Sequence, residues 1–273
     1  EFIIPGKGME VVNIGAVSFP YATDQALRSG LRAGESFDQI LDRAKVEIRQ
    51  QVERLADAYQ TLFLPPAPYY SVLMDGCLER GRDLSQGLTY NNFGLHGACS
   101  ANGADALAAV KTLVFEQEAI APDDLLSALE QNFVGAEDLR AKLQHQAPKV
   151  GCGQEVADQM LTFLFDAFAD ACERYGDNGR GGRIRPGTGS AMYYVWLARG
   201  QEDMREPVVG ATADGRHEGD FFSVNLAPSL GTAPTGPLST FLSFCELDYN
   251  RICNGGPITI ELSDTVFRGA ESI

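Results

Sequence analysis

Two histidines stand where a polar side chain could do chemistry. His96 falls in Tyr90-Asn91-Asn92-Phe93-Gly94-Leu95-His96-Gly97 and His217 in Asp214-Gly215-Arg216-His217-Glu218-Gly219. Both stretches are rich in glycine and polar side chains and read as loops, where function concentrates. An imidazole there can take or give a proton near neutrality. His145, on the outer face of a helical pattern, carries no such implication.

Three other stretches invite chemical readings. Ala227-Pro228-Ser229-Leu230-Gly231 has the outline of a nucleophile elbow, but Gly231-Thr232-Ala233-Pro234 cannot open the helix that an elbow requires. All three histidines also precede Ser229, against the hydrolase order, so Ser229 reads as a loop hydroxyl satisfying backbone groups. Lys7, between two glycines, and the Gly/Arg stretch 176–189 suggest phosphate loops. Neither matches G-x-x-x-x-G-K-[ST], and 176–189 follows a helix rather than a strand, which makes it a turn-rich connection.

The elements that must position these residues follow from periodicity. Residues 1–34 mix Gly, Pro and short β-branched runs and read as loop, short strand and loop. From Ser36 apolar residues recur at helical spacing (Ile40, Ala44, Ile48, Val52), and Ser36 with Gln39 forms a capping box, so a long helix is expected up to Pro65-Pro66. Further helices are expected over 70–80, 105–120, from Pro122, and over 154–175. The acidic run from Glu116 to Asp138 reads as a solvated face. Strands are expected over 192–197, 221–226 and 258–262. A helix-rich part, 36–175, thus precedes a strand- and loop-rich part, 190–273, within a single α/β or α+β domain over 1–273.

A net charge of −15 disfavours nucleic acid and anionic membrane surfaces, and no apolar stretch approaches the length of a membrane helix. Six cysteines without a C-x-x-C pair read as reduced thiols of a cytoplasmic protein, with no metal site. The opening Glu1-Phe2-Ile3, without methionine, suggests part of a longer chain.

Three blocks carry a family resemblance. Tyr90 to Gly97, continuing through Ala104-Asp105-Ala106-Leu107-Ala108-Ala109-Val110-Lys111 to Val114-Phe115-Glu116, resembles the glycyl radical enzymes, the pyruvate formate-lyase superfamily, whose helix reads A-D-S-L-A-A-I-K before V-F-E. Gly210 to Gly219 is similar to that family's A-T-P-D-G-R-x-x-G, with Ala213 in place of proline. Asn225 to Gly231, followed by Gly236-Pro237, is similar to its N-x-S-P-S-x-G and G-P segments. Glu1 to Lys7 resembles the residues after the radical cysteine in a G-C-x-E loop, and the Pro5-Gly6-Lys7 continuation favours this over a cloning-site remnant.

The resemblance implies the second half of a ten-stranded α/β barrel, with the loops at 90–97, 212–219 and 225–231 near its mouth. It implies a radical lyase of small molecules, cutting C–C, C–O, C–N or C–S bonds. Glu1 would be the general acid/base, which favours a dehydratase or decarboxylase over a formate acetyltransferase; a non-catalytic complementing domain is the remaining alternative. Asn91, Asn92, His96, Asp214, Arg216, Asn225 and Ser229 are the site candidates. No dissociable cofactor is implied. The radical is protein-borne, on a glycine in an R-V-x-G-[YF] loop that these 273 residues do not contain. An S-adenosylmethionine/iron–sulfur activating enzyme would install it. The full-length protein would be a homodimer, and this stretch alone inactive and poorly stable.

Overall fold

Ser18 ends one element and begins the next. Its backbone closes β1 (Val11–Ser18), and its hydroxyl accepts from the Tyr21 N–H to cap α1 (Phe19–Arg32), with Pro20 in the first turn where no N–H is needed. The computed structural model describes residues 11–252 apart from 62, 203, 205 and 235, together with 257 and 258. Glu1, Lys7 and most of the expected 258–262 strand lie outside the described residues.

The order continues with α2 (Phe37–Gln60), three short helices α3 (Pro68–Ser71), α4 (Cys77–Arg80) and α5 (Leu84–Gly87), then β2 (Asn92–Ala98) and α6 (Ser100–Val110). A π-helical turn, Lys111–Glu116, extends α6. There follow α7 (Pro122–Glu130), α8 (Glu137–His145), α9 (Glu155–Tyr175), β3 (Ile184–Gly187), α10 (Tyr193–Arg199) and α11 (Pro237–Cys245).

The three strands form a parallel sheet in the order β1-β2-β3, each crossover carrying helices. Central β2 is buried along its whole length. Phe93 and Leu95 join the main core with Ile14, Val17 and Ile184, beneath α1, α2 and α9. Ala16 and Ala98 belong to a second cluster with Leu197, Val209 and Phe222 on the other side of the sheet. His96, paired with Ala16 and Gly187, alternates with Leu95 and shares that second face.

Small residues set the spacing of the helices. Gly30 lets α2 approach α1, since a Cβ there would meet Ile40 at 2.4 Å, and Gly103 admits Phe19 and Leu164 to α6. Phe19 then stacks edge-on against Phe165 and Phe168, with ring centres 5.1 and 5.7 Å apart. Truncating such a buried ring costs about 3–5 kcal/mol.

The structure corrects several expectations. Residues 19–32 are helical, not loop. Residues 92–98, including Asn92 and His96, form the central strand rather than a mouth loop, and β3 lies inside the Gly/Arg connection. The expected strand at 192–197 is α10, because the Tyr193-Tyr194-Val195-Trp196-Leu197 run closes against core as a helix. Residues 221–226 are irregular, with Leu226 bridging Ile258. The 70–80 helix divides at left-handed Gly76. The expected 105–120 helix begins at Ser100 and ends in the π-helical turn. Helices, not strands, therefore dominate the regular structure described after residue 190.

Candidate functional site

At the carboxyl end of β2 the chain turns through Cys99, whose φ of 59° is left-handed, straight into α6. This is where ligands gather on parallel α/β sheets. Ser190, just past β3, accepts from the N–H of Cys99 (3.3 Å) and of Asn225 (3.0 Å), while its own N–H donates to Asn225 Oδ1 at 2.9 Å. Asn225 is therefore a strap that joins its loop to the sheet end.

One turn of α6 reaches two further loops. Asn102 Nδ2 donates to Asp214 Oδ2 at 2.6 Å, and Asn102 Oδ1 accepts from the Ser223 N–H at 2.7 Å. Asp105, three residues on, accepts from the Val150 N–H at 2.8 Å and from the Ser229 hydroxyl at 2.6 Å. Burial raises the Asp105 carboxyl to about 6, although nearby Lys149 and these two donors pull the other way. Ser229 thus meets a carboxylate rather than the backbone groups expected, and its hydroxyl has no histidine partner.

Arg216 organises the 209–220 loop. Its five N–H groups reach Thr212 Oγ1 (3.2 Å) and the carbonyls of Val209 (2.9 Å), His217 (2.7 Å), Asp220 (2.8 Å) and Gly210. The guanidinium also lies 3.8 Å from the centre of the Phe222 ring. Asp214 takes the Thr212 hydroxyl at 2.5 Å as well as Asn102. The polar atoms of Asp214, Arg216, Asn225 and Ser229 are thus largely engaged by the protein itself. His217 places Nδ1 3.1 Å from the Asn132 carbonyl, with its ring edge-on to Phe133.

His96 differs. It is 6% exposed, its Nδ1 has no partner among the described residues, and burial lowers its pKa to about 4, so the imidazole is neutral at physiological pH. Asn91 and Asn92 are at the opposite end of β2, roughly 20 Å from Ala98 at the usual strand rise. Asn91 has φ 51°, and its carbonyl accepts from Asn178; Asn92 Oδ1 accepts from the Arg183 N–H. Asp214, Arg216, Asn225 and Ser229 thus converge at one end of the sheet, with His96 on β2 between that end and the asparagines. Sequence reasoning did not single out Asn102, Lys149 or Ser190. A polar pair at i, i+3, set among small and apolar residues after Ser100 in α6, was the available signal for Asn102 and Asp105.

A family model described as "Pyruvate formate lyase-like" matches residues 31–198. The chain belongs to that pyruvate formate lyase-like family. It is 25% identical over 279 residues to (2S)-3-sulfopropanediol dehydratase of Klebsiella oxytoca, covering 97% of this chain and 32% of the relative. It is 30% identical over 239 residues to the probable dehydratase YbiW of Escherichia coli K12, covering 81% and 28%. The fold matches that of the glycerol-bound B12-independent glycerol dehydratase from Clostridium butyricum, with TM-score 0.79 and 24% identity over 97% of this chain and 36% of that one. A glycyl radical enzyme from Archaeoglobus fulgidus gives TM-score 0.77 at 24% identity, over 94% and 34%. This pyruvate formate lyase-like chain is therefore α/β, part of a glycyl radical enzyme barrel, and spans about a third or less of the length of these relatives. No described helix is long and apolar enough to cross a membrane, and the described residues hold no cluster of metal-binding side chains.

Proposed function

We propose that the full-length protein is a radical lyase of dehydratase type, acting on a small hydroxylated substrate. The observation that carries this reading is the dehydratase match along 97% of the chain. The face of β2 opposite α1, α2 and α9 suits radical chemistry. It is lined by Ala16, Ala98 and Phe222, which exclude water, and holds one neutral imidazole with an unpartnered nitrogen.

The protein-borne radical, which an S-adenosylmethionine/iron–sulfur activating enzyme would install, would supply abstraction of a carbon-bound hydrogen atom through a cysteine thiyl. Around that step the chain handles protons and position. Glu1, assigned by resemblance, takes a proton from one substrate hydroxyl and returns one to the departing hydroxyl, which leaves as water. An apolar interior raises a carboxyl toward the pKa such a shuttle needs. Neutral His96 offers a hydrogen bond without adding charge. Asp214, Arg216, Asn225 and Ser229 act as scaffold, holding the loops at the end of β2. The protein works in the cytoplasm as a homodimer, these 273 residues forming a single partial domain without activity of their own.

The test is anaerobic expression of the full-length gene with its activating enzyme, followed by electron paramagnetic resonance and assays on glycerol, propane-1,2-diol and isethionate. A glycyl doublet with aldehyde formed from a diol is expected. A glycyl doublet with turnover of pyruvate and coenzyme A instead would make the protein a formate acetyltransferase, and absence of any radical would favour a non-catalytic complementing role.

A further inference from the structure

Three cations are fastened to one loop, each by a single hydrogen bond to a backbone carbonyl. Lys149 Nζ donates to Asp214 O at 2.8 Å, Arg140 Nε to Gly215 O at 2.9 Å and Arg199 Nε to Gly219 O at 2.8 Å. They come from three separate places: the segment before α9, α8 and the end of α10. All three line a cavity of about 320 Å³.

These bonds fix the cations but leave most of their donors unused. Lys149 is only 8% exposed and keeps two N–H groups without partners among the described residues. Among the described residues Arg140 and Arg199 each use Nε alone, so both terminal amino groups remain, and the Arg199 guanidinium lies 4.2 Å from the centre of the Phe221 ring. A buried ammonium with unmet donors is costly unless something answers it.

Buried Asp105 is the charge behind Lys149, but its carboxylate is bonded to the Val150 N–H and the Ser229 hydroxyl and does not line the cavity. Arg216 also lines the cavity, with its donors already committed, and the Asp214 carboxylate is turned onto Asn102 and Thr212. Exposed Asp220 is the remaining carboxylate on the wall. Four cations therefore face two carboxylates, in a chain whose net charge is −15.

We propose that this cavity binds the phosphate group of a small phosphate monoester. A tetrahedral dianion presents three acceptor oxygens in several directions at once and can take donors from Lys149, Arg140 and Arg199 together, with twice the charge of a carboxylate to set against them. The cavity lies in the size range of small-molecule sites and exceeds what bare phosphate fills, leaving room for a compact organic body beside Phe221. The site does not depend on the lyase reading.

The test is calorimetric titration of the full-length protein with inorganic phosphate and with glycerol 3-phosphate, at ionic strength held constant with potassium chloride. Saturable binding is expected, tighter for the ester. Arg199→Gln, at an exposed position, and Arg140→Gln should each weaken it about tenfold or more, the loss of a hydrogen bond between charged groups. Arg199→Lys should recover part of the affinity, and circular dichroism confirms that each variant is folded. No heat with either phosphate, binding unchanged by Arg199→Gln in folded protein, or heats reproduced by chloride alone would overturn the assignment. Phosphate binding as tightly as the ester would overturn the monoester and leave the anion site.

Discussion

Gly189 stands where any side chain would strike the ring of His96: a Cβ built on its backbone lies 2.6 Å from both Cε1 and Nδ1. The first residues past β3 therefore lie directly over the imidazole. Gly189→Ala should destabilise the protein by about 1–3 kcal/mol, the usual cost of overpacking a filled interior. In a His96→Ala background the same substitution should cost less than about 1 kcal/mol, because the colliding group is gone. Urea denaturation of the four proteins of this cycle measures the coupling, and equal penalties in both backgrounds would rule out the contact.

Two buried groups give opposite pH dependences. His96 titrates near 4 in the folded chain against an ordinary 6.5, so its contribution is complete above 6.5 and is lost as pH falls toward 4. Asp105, raised to about 6 from 3.8, does the reverse: its contribution is complete below 3.8 and lost as pH rises through 6. Each amounts to about 3 kcal/mol, so between pH 4 and 6.5 the two largely cancel. Asp105→Asn should unmask a stability that climbs with pH across this window, and His96→Gln one that declines. Denaturation midpoints against pH give the sign directly.

Arg216→Lys should be far from conservative. An ammonium has three donors at one point, whereas the guanidinium spans Thr212 and the carbonyls of Val209, Gly210, His217 and Asp220. At least two acceptors lose their partner, and the expected cost is about 3 kcal/mol or more. A melting curve indistinguishable from the parent's would show that the loop does not need the fork.

Ser229→Ala removes the hydroxyl that donates to Asp105 and should cost about 1–3 kcal/mol, the penalty for leaving a buried acceptor unmet. Ser229 should not react with a fluorophosphonate probe, since its partner is a carboxylate of raised pKa and not an imidazole. Labelling at Ser229, read by mass spectrometry, would reverse that conclusion.

What could be read from the residues depended on whether local chemistry or distant packing decided. The capping box is formed by Ser36 and Gln39, the stripe Ile40, Ala44, Ile48 and Val52 is buried, and the helix expected over 154–175 is α9, because these patterns are local. Pro20 falls in the 1–34 stretch that reads as loop and short strand, yet it sits in a helix's first turn, a position that depends on Ser18 ending a strand. β2 was hidden by its glycines. Gly97 is small because the rings of Phe19 and Phe165 occupy the space beside it, and neither neighbour is visible in the local pattern. The three sequence blocks are tied together by bonds that no spacing rule encodes: the Asp105–Ser229 bond joins residues 124 positions apart.

The sheet also has a consequence for how this chain acquires its shape. Neighbouring strands pair residues roughly 80 and 90 positions apart, and such distant partners must close large loops before any contact repays them. Because each strand is laid beside its immediate predecessor, assembly can run in one direction as the polypeptide emerges, with α1 and α2 already docked when β2 arrives. Lesions in α1 and α2 should therefore lower the yield of soluble protein out of proportion to their effect on the finished molecule.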